Sequence, residues 1–388
     1  MLSAPPLDDL IALRRALHME PELSGEEAHT ARILENFLVS WQPDRLLTHL
    51  GGYGLAAIFG SGKPGPTVLL RADMDAVPVQ ESNLVAYRSL RDGVAHQCGH
   101  DGHMAIVAGL APLLAAQRPA RGQVVLLFQP AEETGKGAKA IVNEPLYQEL
   151  KPNFCFALHN LPGYPLGQLV CRPGTFAAAS VGLVAELQGH PSHAAFPEEG
   201  QSPALALAES MQALSSLIPR LQLSEFALLT LVCASLGEAS FGVSPGAATL
   251  MATLRSFDDP TLERLQAGAA EVIHNIADRY DLRTSVTWQE DYPTTRNTPA
   301  GYACVQAAAA RLGQEILVPP EPFRWSEDFG WFLREAEGAM FGLGSGENLC
   351  LHTHDYDFPE ALIEPGIHIF SALLDQALAA PGAMGSAS

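Results

Sequence analysis

At 388 residues the chain is long enough for two hydrophobic cores rather than one. Its 47% hydrophobic and 17% charged residues describe a well-packed globule, and no apolar run reaches the roughly 18 residues a membrane-spanning helix needs. A formal charge of −20 argues against nucleic acid or an anionic membrane as partner; anionic small molecules stay open, because a metal or an arginine can dominate one pocket.

In chain order, residues 1–9 hold no basic stretch followed by an apolar one, so no secretory signal is expected. Pro5-Pro6 opens a helix whose apolar stripe is Leu7, Leu10, Ile11, Leu13 and Leu17, and Pro21 stops it. Three short, nearly all-apolar runs follow: Thr67–Leu70, Val124–Phe128 and Phe154–Leu158. Helix-like stretches, His103–Ala116 and Ala138–Leu150, lie between them. Buried runs alternating with helices predict an α/β domain, a mostly parallel three-layer sheet. From about Gly174 the texture changes. Ser180–Gln188 reads as a strand, Ser202–Leu221 as a helix, Phe226–Ser235 and Ala248–Phe257 as strands, Asp259–Tyr280 as a helix and Thr284–Glu290 as a strand. That β-α-β-β-α-β order is a split βαβ, ferredoxin-like unit. Gly301–Leu312, Ser326–Glu335, Ala339–Leu343 and Glu360–Ala379 resume the first texture. The expected organisation is therefore a discontinuous domain, 1–175 with 291–380, and an inserted α+β domain, 176–290. The tail, 381–388, is small and polar and is expected to be disordered. The six cysteines (98, 155, 171, 233, 304 and 350) lack paired spacing, which fits a reducing cytoplasm.

The chemistry concentrates in Ala95-His96-Gln97-Cys98-Gly99-His100-Asp101-Gly102-His103, where a thiol, three imidazoles and a carboxylate fall within nine residues. Such side chains hold zinc and its neighbours. In open α/β sheets ligands bind beyond the carboxyl ends of strands, and matching donors follow the predicted strands: Asp73 and Asp75, Glu132 and Glu133, His159-Asn160, then His352 and His354. Singly, each has a bland explanation. Cys98 suits a small buried hydrophobe, Glu132-Glu133 an acidic helix start, and Asp73 and Asp75 a capped turn. Their recurrence at successive strand ends points to a catalytic metal centre. One of Glu132 and Glu133 would then ligate while the other faces the activated water as general base and acid. His18, His49, His190, His274 and His368 lie outside this pattern. No Gly-x-Ser-x-Gly elbow occurs, and Gly135-Lys136-Gly137-Ala138 fits no phosphate-loop spacing. A Cys98 nucleophile with His100 or His159 as base would leave the carboxylates unused.

At these residues the chain resembles the M20 metallopeptidase family, in its amidohydrolase branch of aminoacylases, hippurate hydrolases and auxin-conjugate hydrolases. The matching stretches are Leu13 to Leu23, Arg71 to Pro78, Cys98 to His103, Pro130 to Glu133 with Gly137-Ala138, His159-Asn160, Ser192 to Ala195, Tyr292-Pro293, Ser326 to Phe329, and Leu351-His352 with Tyr356-Asp357. The resemblance implies two divalent metal ions, zinc first with manganese or cobalt as alternatives. Cys98, His100, Glu133, His159 and His352 would be the ligands, with His354 second choice to His352. It implies Glu132 as acid/base, Asp75 orienting His100 or His159 from behind, Asn160 at the substrate, and His193 polarising the scissile carbonyl. Arg255 is a candidate grip for a substrate carboxylate. The family's Asn-Val-Ile-Pro stretch reads Gly242-Val243-Ser244-Pro245 here, which bears on substrate preference. The implied activity is hydrolysis of N-acyl amino acids or similar small amides by metal-bound hydroxide, in a cytoplasmic homodimer whose inserted domain serves as lid and dimerisation surface. The alternatives are a dipeptidase or carbamoyl-amino-acid hydrolase on the same scaffold, or a catalytically silent binding protein.

Overall fold

The computed structural model describes residues 7–347 and 350–379, so Pro5-Pro6 and the tail lie outside the described residues. The chain divides into two units. One comprises the chain up to Phe176, Thr295–Glu321 and the chain from Asp328; the other comprises Ala177–Thr294 with Pro322–Glu327.

The first unit is built on an eight-stranded sheet. Its strands are β1 (Arg45–Leu50), β2 (Gly54–Gly60), β3 (Thr67–Asp73), β4 (Gln123–Gln129), β5 (Phe154–Pro162), β6 (Leu169–Val170), β7 (Ile316–Leu317) and β8 (Glu337–Gly346). They lie in the order β1-β2-β4-β3-β5-β8-β6-β7. The central four, β4-β3-β5-β8, are parallel, whereas β2 meets β4 and β6 meets β8 antiparallel. The parallel strands read as unbroken apolar runs because both sheet faces are covered. On β3, Val68, Leu70 and Ala72 enter the main core with Leu10, Leu17, Met104, Ile106 and Phe370. The alternate residues Arg71 and Asp73 are also buried, on the opposite face. There Arg71 pairs with Asp73 (2.6 Å) and Asp328 (2.9 Å) and donates to Gln129 (2.8 Å).

Several boundaries differ from the sequence expectation. β5 continues to Pro162 because β8 pairs with it that far, so His159 and Asn160 lie inside the strand rather than past its end. The helix expected from His103 starts at His100 (α3, His100–Ala108), with Leu110–Ala116 following. The sequence pattern signals nothing between Pro21 and Thr67, yet α2 (Ala28–Val39), β1 and β2 occupy it. The start of α2 carries no local cap signature: its N-terminal N–H groups on His29 and Thr30 donate to Glu22 Oε2 (both 2.8 Å), a carboxylate from the preceding loop. The first predicted helix is α1 (Leu7–Met19), burying Leu10, Leu13 and Leu17.

The second unit holds a four-stranded antiparallel sheet, ordered Ala227–Leu236, Ala247–Ser256, Ala179–Gln188, Arg283–Tyr292. Helices Ala204–Ser215 and Asp259–Arg279 pack on one face against alternating Leu250, Ala252 and Leu254, the split βαβ arrangement. Pro322–Glu327 joins this unit: Ala178 N donates to the Phe323 and Trp325 carbonyls (3.0 and 3.1 Å). The expected element Ser326–Glu335 is accordingly divided, and only Gly330–Glu335 is helical. In the first unit, short strands Gly174–Ala177 and Thr295–Asn297 pair, so the chain leaves and re-enters that unit at adjacent points.

Candidate metal centre

Two strand ends, the interior of a third strand and one helix start deliver the donors. Cys98 ends the loop before α3. Gly99 then turns at φ +94°, where a Cβ would come within 2.6 Å of the Asn160 side chain, and His100 opens α3. β4 runs into Pro130 and Ala131, the latter at φ +52°, a left-handed conformation that costs an alanine about 1–2 kcal/mol. Glu132 and Glu133 follow. β5 carries His159, and the loop after β8 brings His352.

These side chains converge. Cys98, His100 and His159 form one donor group with all ligand atoms within 4.8 Å; Cys98, Glu133 and His352 form a second, and His100, Glu132 and Glu133 a third. Cys98 Sγ lies 3.5 Å from His159 Nε2, and Glu133 Oε1 lies 3.4 Å from His352 Nε2 and 3.8 Å from His100 Nε2. Backbone carbonyls select the tautomers: His100 Nδ1 meets the Asp75 carbonyl at 2.8 Å and His159 Nδ1 the Asn160 carbonyl at 2.7 Å. With Nδ1–H donating, each Nε2 lone pair points at the centre. His352 N donates to the Gln97 carbonyl (2.8 Å), whereas the His354 carbonyl accepts from Ser82 N (2.7 Å). Among the described residues, His354 enters no donor group.

The surrounding residues take partly different places from those expected. Asp75 holds His100 chiefly through its backbone carbonyl; its carboxylate Oδ2 accepts from Ser24 Oγ (2.6 Å) and Glu133 N (2.9 Å). Asn160, expected at the substrate, is engaged in internal hydrogen bonds. It is fully buried; its side-chain oxygen meets His103 Nε2 and its amide donates to the Tyr356 hydroxyl. His103 in turn meets Asp73 Oδ1 at 2.7 Å. Within the second unit, Arg255 Nη1 donates to the Arg324 carbonyl (3.0 Å) and Ser326 Oγ (2.9 Å). His193 is exposed on the short strand Ser192–His193, opposite Val243. Its Nδ1 accepts from Ala195 N (3.0 Å), which in the neutral ring places the proton on the outward Nε2.

Behind α3 lies a charge cluster that the sequence pattern did not single out. Arg14 Nε sits 2.7 Å from Asp101 as an ion pair, and Arg14 also pairs with Asp357. His18 lies 2.8 Å from Asp101 and 3.2 Å from Glu81. Burial disfavours a charged His18, but Asp101 and Glu81 outweigh it and raise the pKa to about 9. Because the folded value exceeds the unfolded value of 6.5, the stabilisation from the charged ring is complete below pH 6.5. It is lost as pH rises to about 9. Urea unfolding from pH 6 to 9.5 should show declining stability in the wild type and a shallower decline in His18→Gln. Equal slopes would contradict this pairing.

Residues 69–376 match the model of peptidase family M20/M25/M40. The chain is 30% identical to the N-acetyl-L-cysteine deacetylase of Bacillus subtilis (strain 168) over 92% of its own length and 83% of the relative's. It is 28% identical to the hippurate hydrolase of Campylobacter jejuni over 93% and 94%. The crystal structure of Bacillus subtilis YXEP, a dinuclear metal-binding peptidase of the M20 family, superposes with a TM-score of 0.80 at 26% identity, covering 96% of this chain and 98% of that one. A donor cluster of this kind within a match running through most of the sequence has one consequence: the chain belongs to peptidase family M20/M25/M40 and is a metal-dependent amidohydrolase.

Proposed function

We propose that this enzyme cleaves the amide bond of N-acyl amino acids or similar small conjugates, with Cys98, His100, Glu133, His159 and His352 holding two divalent ions and Glu132 moving the proton. One observation carries the reading. His100 Nε2 and Glu133 Oε1 are buried and have no hydrogen-bond partner among the described residues, a costly state that a bound cation relieves. Two donor groups share Cys98, which supports a pair of ions, and the thiolate favours zinc over manganese or cobalt. The relatives named for N-acetyl-L-cysteine and hippurate, both N-acyl amino acids, support the substrate class.

Bound there, divalent cations lower the pKa of a coordinated water and polarise the scissile carbonyl. Glu132 accepts the proton of the attacking water and delivers it to the departing amine nitrogen. Asp75 fixes the Glu133 backbone and the His100 ring, so neither ligand must reorganise. His193 donates its Nε2–H to the developing oxyanion. With Arg255 Nη1 committed to Arg324 and Ser326, a grip on the substrate carboxylate falls to its other nitrogens. We further propose a cytoplasmic homodimer joined through the second unit. The supporting observations are six free cysteines and an outermost strand, Ala227–Leu236, that carries no charged residue over ten positions.

The test combines elemental analysis with substrate screening. Purified enzyme should carry two ions per chain and release free acid from N-acetyl or N-benzoyl amino acids. Cys98→Ser should weaken metal affinity and lower stoichiometry. Turnover confined to dipeptides or N-carbamoyl amino acids would reject the substrate class, and unchanged metal content in Cys98→Ser would remove that ligand.

A further inference from the structure

We infer that Glu27 is a positioning residue for the reaction, clamping the left-handed Ala131 peptide so that Glu132 and Glu133 face their separate tasks. The inference rests on the carboxylate roles proposed above. Glu27 is fully buried, although it belongs to the loop between α1 and α2, more than a hundred residues earlier. Its Oε1 accepts from Ala131 N at 2.8 Å and from Gly25 N at 2.9 Å. From the other side, the Ala131 carbonyl accepts from Lys136 N (3.2 Å) and Gly137 N (3.1 Å). Gly137 is required there, since a Cβ would lie 1.6 Å from the Pro130 carbonyl oxygen.

Ala131 has no intrinsic reason to adopt φ +52°: alanine carries no side chain that rewards the left-handed region. The conformation persists because the surroundings impose it, and among the described residues the Glu27 carboxylate is the side chain that holds the Ala131 N–H. Two residues on, Glu133 N is held by Asp75, and Asp75 is held by Ser24 Oγ. Ser24 and Glu27 lie on one loop, so a single short segment braces both ends of the turn that presents the carboxylate pair. Misplacing such a turn by even about 1 Å lowers catalysis steeply.

The experiment compares Glu27→Ala, Glu27→Gln and Glu27→Ala/Ala131→Gly, reading kcat, KM and cobalt(II) affinity by titration of the metal-free protein. Glu27→Ala should reduce kcat and cobalt(II) affinity roughly 10–100-fold, with KM little changed. Glu27→Gln retains an acceptor oxygen and should recover most of both. Ala131→Gly, which adopts positive φ without strain, should recover much of the loss in the Glu27→Ala background, a repair that general damage to the fold would not permit. A Glu27→Ala enzyme with wild-type kcat and cobalt(II) affinity overturns the inference, as does a loss that neither second change repairs. Cobalt(II) affinity is read without turnover, so failure of the substrate assignment stays distinguishable from failure of the clamp.

Discussion

Glu132→Gln should lower kcat by roughly 10²–10⁴-fold, the range that a positioned acid/base group contributes, and leave unfolding and metal content near wild type. The substitution conserves shape and an acceptor oxygen. Glu132 is almost fully buried, and its Oε1 lies 3.4 Å from the Asp328 backbone N–H, a contact the carboxamide can keep. What it loses is the capacity to take a proton from water and return it to nitrogen. Glu132 also stands in a donor group with His100 and Glu133, so its alternative role is as a ligand. Steady-state kinetics together with elemental analysis separate the two. A large rate loss with full metal content supports the proton shuttle, a proportional loss of metal reassigns Glu132 as a ligand, and a near-wild-type rate removes it from the mechanism.

Arg14→Met should cost about 3–5 kcal/mol of folding stability, the usual penalty for stripping one partner from a buried ion pair. Arg14 and Asp101 are both fully buried, and Asp357 contributes a second, partly exposed carboxylate. Removing the guanidinium leaves, among the described residues, His18 as the cation paired with Asp101. Against a typical total of about 5–15 kcal/mol, the loss is large. Urea midpoints measure it, and Arg14→Met/Asp101→Asn should be less destabilised than the sum of the single changes. A midpoint shift corresponding to less than about 1 kcal/mol would mean that solvent or other groups compensate the charge.

The central architecture was legible because its physics is local. Strands buried on both faces read as apolar runs, as Val124–Phe128 does, and the half-buried strands of the second unit alternate. The donors were legible because thiolate, imidazole and carboxylate recur immediately after, or at the end of, those runs. Residues acting across long sequence separations were not. Glu22 caps a helix start seven residues away, and Ser24 and Glu27 reach Asp75 and Ala131 through a turn that no periodicity announces. His18 lies within a quoted motif, but its pairing with Asp101 and Glu81 depends on α1 packing against α3. Nor did the sequence signal the bonds that Asn160 makes to His103 and Tyr356, partners 57 and 196 residues away. The break within Ser326–Glu335 was equally hidden, because residues 322–327 follow hydrogen bonds to Ala178 and Arg255 rather than any local pattern.

The paired strands Gly174–Ala177 and Thr295–Asn297 have a consequence for biosynthesis. A nascent chain emerges N-terminus first at about 5–20 residues per second, so Cys98, His100, Glu133 and His159 leave the ribosome well before β8 and His352. The intervening 118 residues, Ala177–Thr294, supply all of the second unit except Pro322–Glu327 and emerge while the parallel sheet still lacks β8, the neighbour of β5. Pulse-labelled ribosome-bound intermediates should therefore be protease-resistant in the second unit before the first, and capture of the metal pair should be a late, post-release event.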